Sequence, residues 1–169
     1  MFPSLEMVLR SRDERRRMQL ELLARHPDLT LVVATVVIPG PEKRNELSLR
    51  IASAMDEALV KAFGADTRHH DRRDLETGYE AFLLVDLDGK EAKHRAMDIE
   101  ETHPLGRLFD IDVIGKDGIP MSRTDNGGET RRCLICGRDA RVCMRLRSHS
   151  TEELLKHISK LADEYVRRS

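Results

Sequence analysis

The chain has 169 residues, 40% of them apolar, with 29 basic and 30 acidic side chains and a formal charge of −1. That length supports one globular core and is short for two. The charge balance argues against a DNA-binding face, and 4% aromatic content without tryptophan leaves few stacking platforms for single-stranded nucleic acid. No apolar run approaches the ~20 residues needed to cross a bilayer. Charges begin at Glu6 and crowd Arg10 to Arg17, unlike a secretory leader. The expectation is a cytoplasmic protein without membrane or nucleic-acid partners, whose three cysteines serve metal or thiol chemistry rather than disulfides.

In chain order, Ser11–Arg25 reads as an amphipathic helix with Met18, Leu22 and Leu23 on one side, stopped by Pro27. Its run Arg12, Arg15, Arg16, Arg17 reads as a solvated face. Thr30–Ile38 is apolar on both faces, as a central strand covered on each side would be, and Pro39-Gly40-Pro41 turns the chain. Glu42–Phe63 carries Leu47, Ile51, Met55, Leu59 and Ala62 at helical spacing, with Gly64 as a stop. The polar stretch Ala65–Glu76 is a loop or edge strand, and its His69-His70 pair reads as solvated.

Tyr79–Val85 is a second strand and Glu91–Thr102 a helix. Arg107–Ile114 is a third strand, leading through Lys116-Asp117-Gly118 into Ile119–Arg123 as a hairpin. Asp125–Thr130 is the best linker. Beyond it come a Cys-rich segment and a last helix, Thr151–Arg167, with Ser150 and Glu153 as a capping box. The pattern predicts an α+β fold: a mixed sheet with packed helices over residues 1–125, and a Cys-rich unit plus helix over 126–169 packed on that core.

Two constellations carry chemistry. Within Gly106–Ile114, alternate strand residues share a face and each residue advances ~3.3 Å, so Asp110 and Asp112 project together roughly 7 Å apart. Phe109, Ile111 and Val113 then face the core. Two neighbouring carboxylates repel unless a cation lies between them, and magnesium accepts such hard oxygen ligands while leaving positions for substrate phosphate. Asp-x-Asp alone is more often a wet edge strand. Here Gly106 permits close backbone approach, and His103 and Arg107 offer positive donors nearby. Asp86-Leu87-Asp88, followed by Gly89-Lys90, reads as a solvated turn instead.

The second constellation is Cys133-x2-Cys136-Gly137, with Cys143 and His149 downstream. The spacing suits a structural zinc knuckle, with buried free thiols or a redox Cys-x-x-Cys pair as alternatives. The redox alternative lacks its usual β-α-β setting. His94 and His157 read as surface helix residues.

The stretch Glu101-Thr102-His103-Pro104-Leu105-Gly106-Arg107-Leu108-Phe109-Asp110-Ile111-Asp112-Val113 resembles the signature of citrate lyase holo-acyl-carrier-protein synthase, the apo-citrate lyase phosphoribosyl-dephospho-coenzyme A transferase family. Ser11-Arg12-Asp13-Glu14-Arg15, Pro39-Gly40-Pro41, Ser122-Arg123 and Arg132-Cys133-Leu134-Ile135-Cys136 with Ala140, Cys143 and His149 extend the resemblance along nearly the whole chain.

The resemblance implies a nucleotidyltransferase-like core. It also implies transfer of the phosphoribosyl-dephospho-coenzyme A group from triphosphoribosyl-dephospho-coenzyme A to a serine of the citrate lyase acyl carrier protein, releasing diphosphate. A related enzyme serves the malonate decarboxylase carrier, and a zinc-knuckle interaction module without catalysis is the remaining alternative. On this reading Asp110 and Asp112 hold Mg2+, Arg107 is catalytic, and His103, Gly106 and Arg123 bind substrate. Asp112 is a candidate acceptor of the serine proton. Glu100, Glu101 and Asp125 are candidates for a third carboxylate, and Cys133, Cys136, Cys143 and His149 would hold Zn2+.

Overall fold

A computed structural model describes residues 2–168. Helix α1 (Leu5–Arg25) starts before the predicted Ser11, because Ser4 accepts the Met7 N–H and caps it. Its added first turns bury nothing, so no apolar stripe marked them. Strand β1 (Thr30–Val36) follows, then α2 (Glu46–Phe63). Helix α2 starts later than the predicted Glu42 because Asn45 and Ser48 cap it reciprocally, each side chain bonding the other's backbone N–H at 2.9 Å.

The polar stretch resolves into edge strand β2 (Thr67–Leu75), which turns back as β3 (Gly78–Val85). Helix α3 (Gly89–Thr102) is capped by Asp88, whose carboxylate accepts the Lys90 and Glu91 N–H groups. Asp86 pairs with Arg68 at 2.7 Å. The second Asp-x-Asp is therefore occupied by capping and a surface ion pair. A short 3₁₀ turn (Gly106–Leu108) leads into β4 (Phe109–Ile114), and α4 (Ala140–Leu146) and α5 (Thr151–Arg168) complete the chain.

The four strands lie in the order β2-β3-β1-β4, and every neighbouring pair is antiparallel. The expected mixed sheet is thus corrected. Helices α2 and α3 each carry the chain past an intervening strand, so no two parallel strands become neighbours. The β-α-β-β-α-β order is the split β-α-β arrangement. Strand β1, in the middle, is apolar on both faces because both are covered. Val32 and Ala34 meet α2, α3 and α5 in the larger core, while Leu31 and Val33 meet Leu22 of α1 in the smaller one.

Ile119–Arg123 does not form the expected strand. The turn closes, with Gly118 at φ +77°, but only an isolated bridge joins Ile114 to Pro120, since proline has no N–H to extend a ladder. His70, expected in solvent, lies 3.0 Å from Asp56, with its side chain only 13% exposed.

Gly106 is buried where the 3₁₀ turn crosses the end of α3, and a Cβ there would lie 2.4 Å from the Ile99 carbonyl oxygen. Backbone cannot yield as a side chain does. Gly106→Ala is expected to cost about 2–3 kcal/mol in urea unfolding and to shift the start of β4. A change within ~0.5 kcal/mol would contradict this packing.

Candidate active site and metal centre

The β4 alternation is as expected: Phe109, Ile111 and Val113 are buried, and Asp110 and Asp112 are partly buried on the opposite face. That face also carries Thr35 and Val33 of β1, paired with Asp110 and Asp112 respectively. Helix α1 covers its other part.

Strand β4 is a sheet edge, and α3 closes that edge. The Ile111 N–H, which has no strand neighbour on that side, donates to Glu100 Oε1 at 2.8 Å. Glu100 is 4% exposed and also binds the guanidinium groups of Arg123 and Arg131. Arg131 reaches on to Asp110 at 3.2 Å. Lys93, also 4% exposed, sits in the field of Asp112 and Glu100; burial pulls its pKa down, against those two carboxylates. Burial, and then the Asp110 charge, raise the Asp112 pKa, with Lys93 opposing. Two acids held close enough to repel, one largely buried and the other half-exposed, beside cationic groups, are suited to a divalent cation.

The other expected residues distribute unevenly. Arg107 lines a cavity of about 590 Å3 together with Arg123, Arg131, Cys133 and His157. Burial and the Arg131 and Arg123 charges lower the Arg107 pKa. Arg123 is engaged by Glu100 and, at 2.6 Å, by Glu101. His103 turns to the helical side of the sheet. Its ring lies 5.0 Å from Phe109 and 5.2 Å from Tyr165, and its Nδ1 accepts the Leu105 N–H. The close approach that Gly106 permits is to the α3 backbone. Of the candidate third carboxylates, Glu100 lies at the site, Glu101 lines the cavity, and Asp125 is exposed in a 3₁₀ turn.

Sequence reasoning missed Lys93, Arg131 and His157. Lys93 sits at helical spacing with the buried Ala92 and Ala96, which offered a faint signal. Arg131 and His157 offered none.

The Cys-rich segment folds into a knuckle. The ligand atoms of Cys133, Cys136, Cys143 and His149 all lie within 4.8 Å of one another. Gly137, at φ +71°, makes the turn after Cys136, and its N–H bonds to the Cys133 carbonyl. His149 leaves a buried Nε2 without a hydrogen-bond partner among the described residues. The Arg138 guanidinium, 3.4 Å from the Cys136 sulfur, pulls that thiol down to about 5. A thiolate-prone sulfur, two further sulfurs and an orphaned imidazole nitrogen form a donor set suited to a metal ion.

An acidic strand edge flanked by arginines, an arginine-lined cavity and a Cys3His knuckle define a protein equipped to handle a phosphorylated compound. A sequence model of the apo-citrate lyase phosphoribosyl-dephospho-CoA transferase family matches residues 3–165, and the chain belongs to that family. It is 38% identical over 168 residues to a probable apo-citrate lyase phosphoribosyl-dephospho-CoA transferase of Streptococcus pyogenes serotype M3, covering 97% of this chain and 88% of the relative. It is 36% identical over 165 residues to the apo-citrate lyase phosphoribosyl-dephospho-CoA transferase of Escherichia coli O1:K1, covering 95% and 89%. It is also 32% identical to Protein CitXG of Haemophilus influenzae, covering 96% of this chain but 35% of that longer protein.

A carboxylate whose pKa is raised on folding weakens the fold above that raised value, and the penalty vanishes below the unfolded value of ~3.9. Metal-free Asp112→Asn is therefore expected to melt above the parent protein at pH 7, the gap closing as pH falls toward 4. Thermal scans across that range check it; a variant that melts lower at pH 7 refutes the repulsion.

Proposed function

We propose that the protein transfers the phosphoribosyl-dephospho-coenzyme A group from triphosphoribosyl-dephospho-coenzyme A to a serine of the apo-citrate lyase acyl carrier protein, as a nucleotidyltransferase of the cytoplasm acting without nucleic-acid partners. The serine oxygen bonds to the phosphorus nearest the ribose as the bond to the next phosphate breaks. Diphosphate departs, and the serine proton passes to solvent or to a carboxylate. The observation that carries this reading is the pair Asp110 and Asp112 on the open face of β4, with Arg131 3.2 Å from Asp110. Among the described residues no helix is long and apolar enough to cross a membrane.

Asp110 and Asp112 would hold magnesium, which when bound neutralises phosphate charge and orients the reacting group. The remaining roles belong to the chain itself. Arg107 and Arg131, on the large cavity, hold the donor's phosphate nearest the ribose. Glu100 and Arg123 aim Arg131, and Lys93 keeps Asp112 turned to its post. Gly106 and His103 contribute by fixing the turn that carries Arg107. The nucleophile is supplied by the carrier, so this chain needs no reactive serine or thiol of its own. The catalytic core is drawn from the residues up to 125, with Arg131 reaching in from the segment that follows, and that segment also packs on the core through α5, whose Ile158 and Ala162 enter the larger core.

Intact-mass measurement of the carrier tests the proposal. With donor and magnesium, the apo-carrier should gain one phosphoribosyl-dephospho-coenzyme A unit, and Asp110→Asn should slow the gain at least about a hundredfold. An unchanged carrier mass with the parent protein would sink the reading.

Cys133, Cys136, Cys143 and His149 would hold a structural zinc, the common ion for a closed three-sulfur, one-nitrogen set. Elemental analysis should find one zinc per chain. Cys136→Ser should lower that content and speed hydrogen exchange between residues 131 and 150, while sheet amides stay protected. Full protection of the segment in zinc-free protein would argue against the assignment.

A further inference from the structure

A second cleft, of about 210 Å3, opens between α1 and the adjoining ends of β1 and β3. Ser11, Arg12 and Arg15 line it from the helix, Thr35 and Glu80 from the strands, and Lys43 from the segment before α2. The arginine run of α1 is thus not uniformly a solvated face. Arg15 is engaged, at 3.2 Å, by Glu80, which is 3% exposed and lies 3.5 Å from Arg73 on its other side.

Arg12 and Lys43 are not balanced in this way. Among the described residues neither has a carboxylate partner. Lys43 Nζ donates only to the Ile38 carbonyl, at 2.6 Å, and Arg12 makes no hydrogen bond or ion pair. They nonetheless lie near enough that the Arg12 charge, after burial, pushes the Lys43 pKa down. Lys43 is partly buried and Arg12 exposed, so an anion in the cleft would meet one cation already partly stripped of water and a second free to swing onto it.

The cleft's position says which anion. Thr35 pairs with Glu80 across β1–β3 and with Asp110 across β1–β4, and all three share one face. The cleft floor is therefore one strand, ~5 Å, from the acidic pair. A phosphate held at Asp110 would place the next phosphates of its chain over Thr35, within reach of Arg12 and Lys43. The volume is below the roughly 300–1,000 Å3 of pockets that take whole drug-sized molecules, and it suits a small polyanion. The larger cavity, on the Arg131 side of Asp110, takes the body of the donor.

We propose that this cleft binds the leaving diphosphate, with Arg12 and Lys43 as its cationic ligands. The inference deepens the transferase reading and rests on it: as the phosphorus–oxygen bond breaks, the electron pair and negative charge pass to the diphosphate, which the two cations stabilise before release. The same chemistry could instead serve the diphosphate inside dephospho-coenzyme A, so both sources enter the test.

Calorimetry of the full-length protein with magnesium compares inorganic diphosphate and dephospho-coenzyme A as ligands. Arg12→Gln and Lys43→Gln should each weaken inorganic diphosphate at least about tenfold and leave dephospho-coenzyme A unchanged, with Arg12→Lys recovering part of the loss. Arg44→Gln, on the same segment but engaged by Asp74 at 2.8 Å, should change neither affinity. Matched melting curves establish that the variants fold. Unaltered diphosphate affinity in both glutamine variants would overturn the proposal, and so would a loss confined to dephospho-coenzyme A. Because this readout needs no turnover, it decides the cleft even if the carrier fails to gain mass. That failure would count against the transferase reading alone.

Discussion

The arrangement around Asp110 depends on one buried carboxylate. Glu100 accepts the Ile111 N–H of the edge strand and binds two guanidinium groups, one of which continues to Asp110. A buried carboxylate is tolerable only when paired and hydrogen-bonded, and here the partners that satisfy it also assemble the site. The bond to Ile111 sets the position of α3 along β4. The bonds to Arg123 and Arg131 draw the otherwise irregular segment after β4 back over the sheet edge. Removing Glu100 would leave two arginines without a fixed aim and an edge N–H without a partner.

The large cavity is lined by residues flanking β4, and the smaller cleft by β1 and β3, whose Thr35 is the strand partner of Asp110. Arginines line the cavity, the carboxylates of β4 lie between, and Arg12 with Lys43 line the cleft. These charged groups come from three separate stretches of chain. The antiparallel sheet makes this compact: β1 places Thr35 between Glu80 and Asp110, so residues far apart in sequence become neighbours within two strand spacings.

Much of this was legible in the residues. The common face of Asp110 and Asp112 followed from period two alone, and β1 declared both its faces buried by being apolar throughout. The knuckle was legible in part, because the thiol spacing permits a metal site without dictating one and Gly137 marks the turn. What stayed hidden were the charged side chains that fold inward. Lys93 and Arg131 look like any solvated charge, and Glu100 was one of three unranked carboxylate candidates, since burial depends on partners that only the tertiary structure supplies. Arg12 was hidden by its neighbours, because a run of arginines on a helix does not say which one lacks a counterion. His103 sits a few residues from the acidic pair in sequence, but the turn at Gly106 sends its ring to the other side of the sheet. The polar alternation of β2 carried no apolar signal, because an edge strand laced with ion pairs needs little hydrocarbon.

The alternation along β4 has an evolutionary corollary. Because each step along a strand inverts the side-chain direction, gaining or losing one residue between Gly106 and Asp112 would send both carboxylates into the hydrocarbon layer and a phenyl ring to water. Substitutions in this segment can be graded in severity, whereas a change of length by one cannot. The count of residues in this segment is therefore as constrained as their identity.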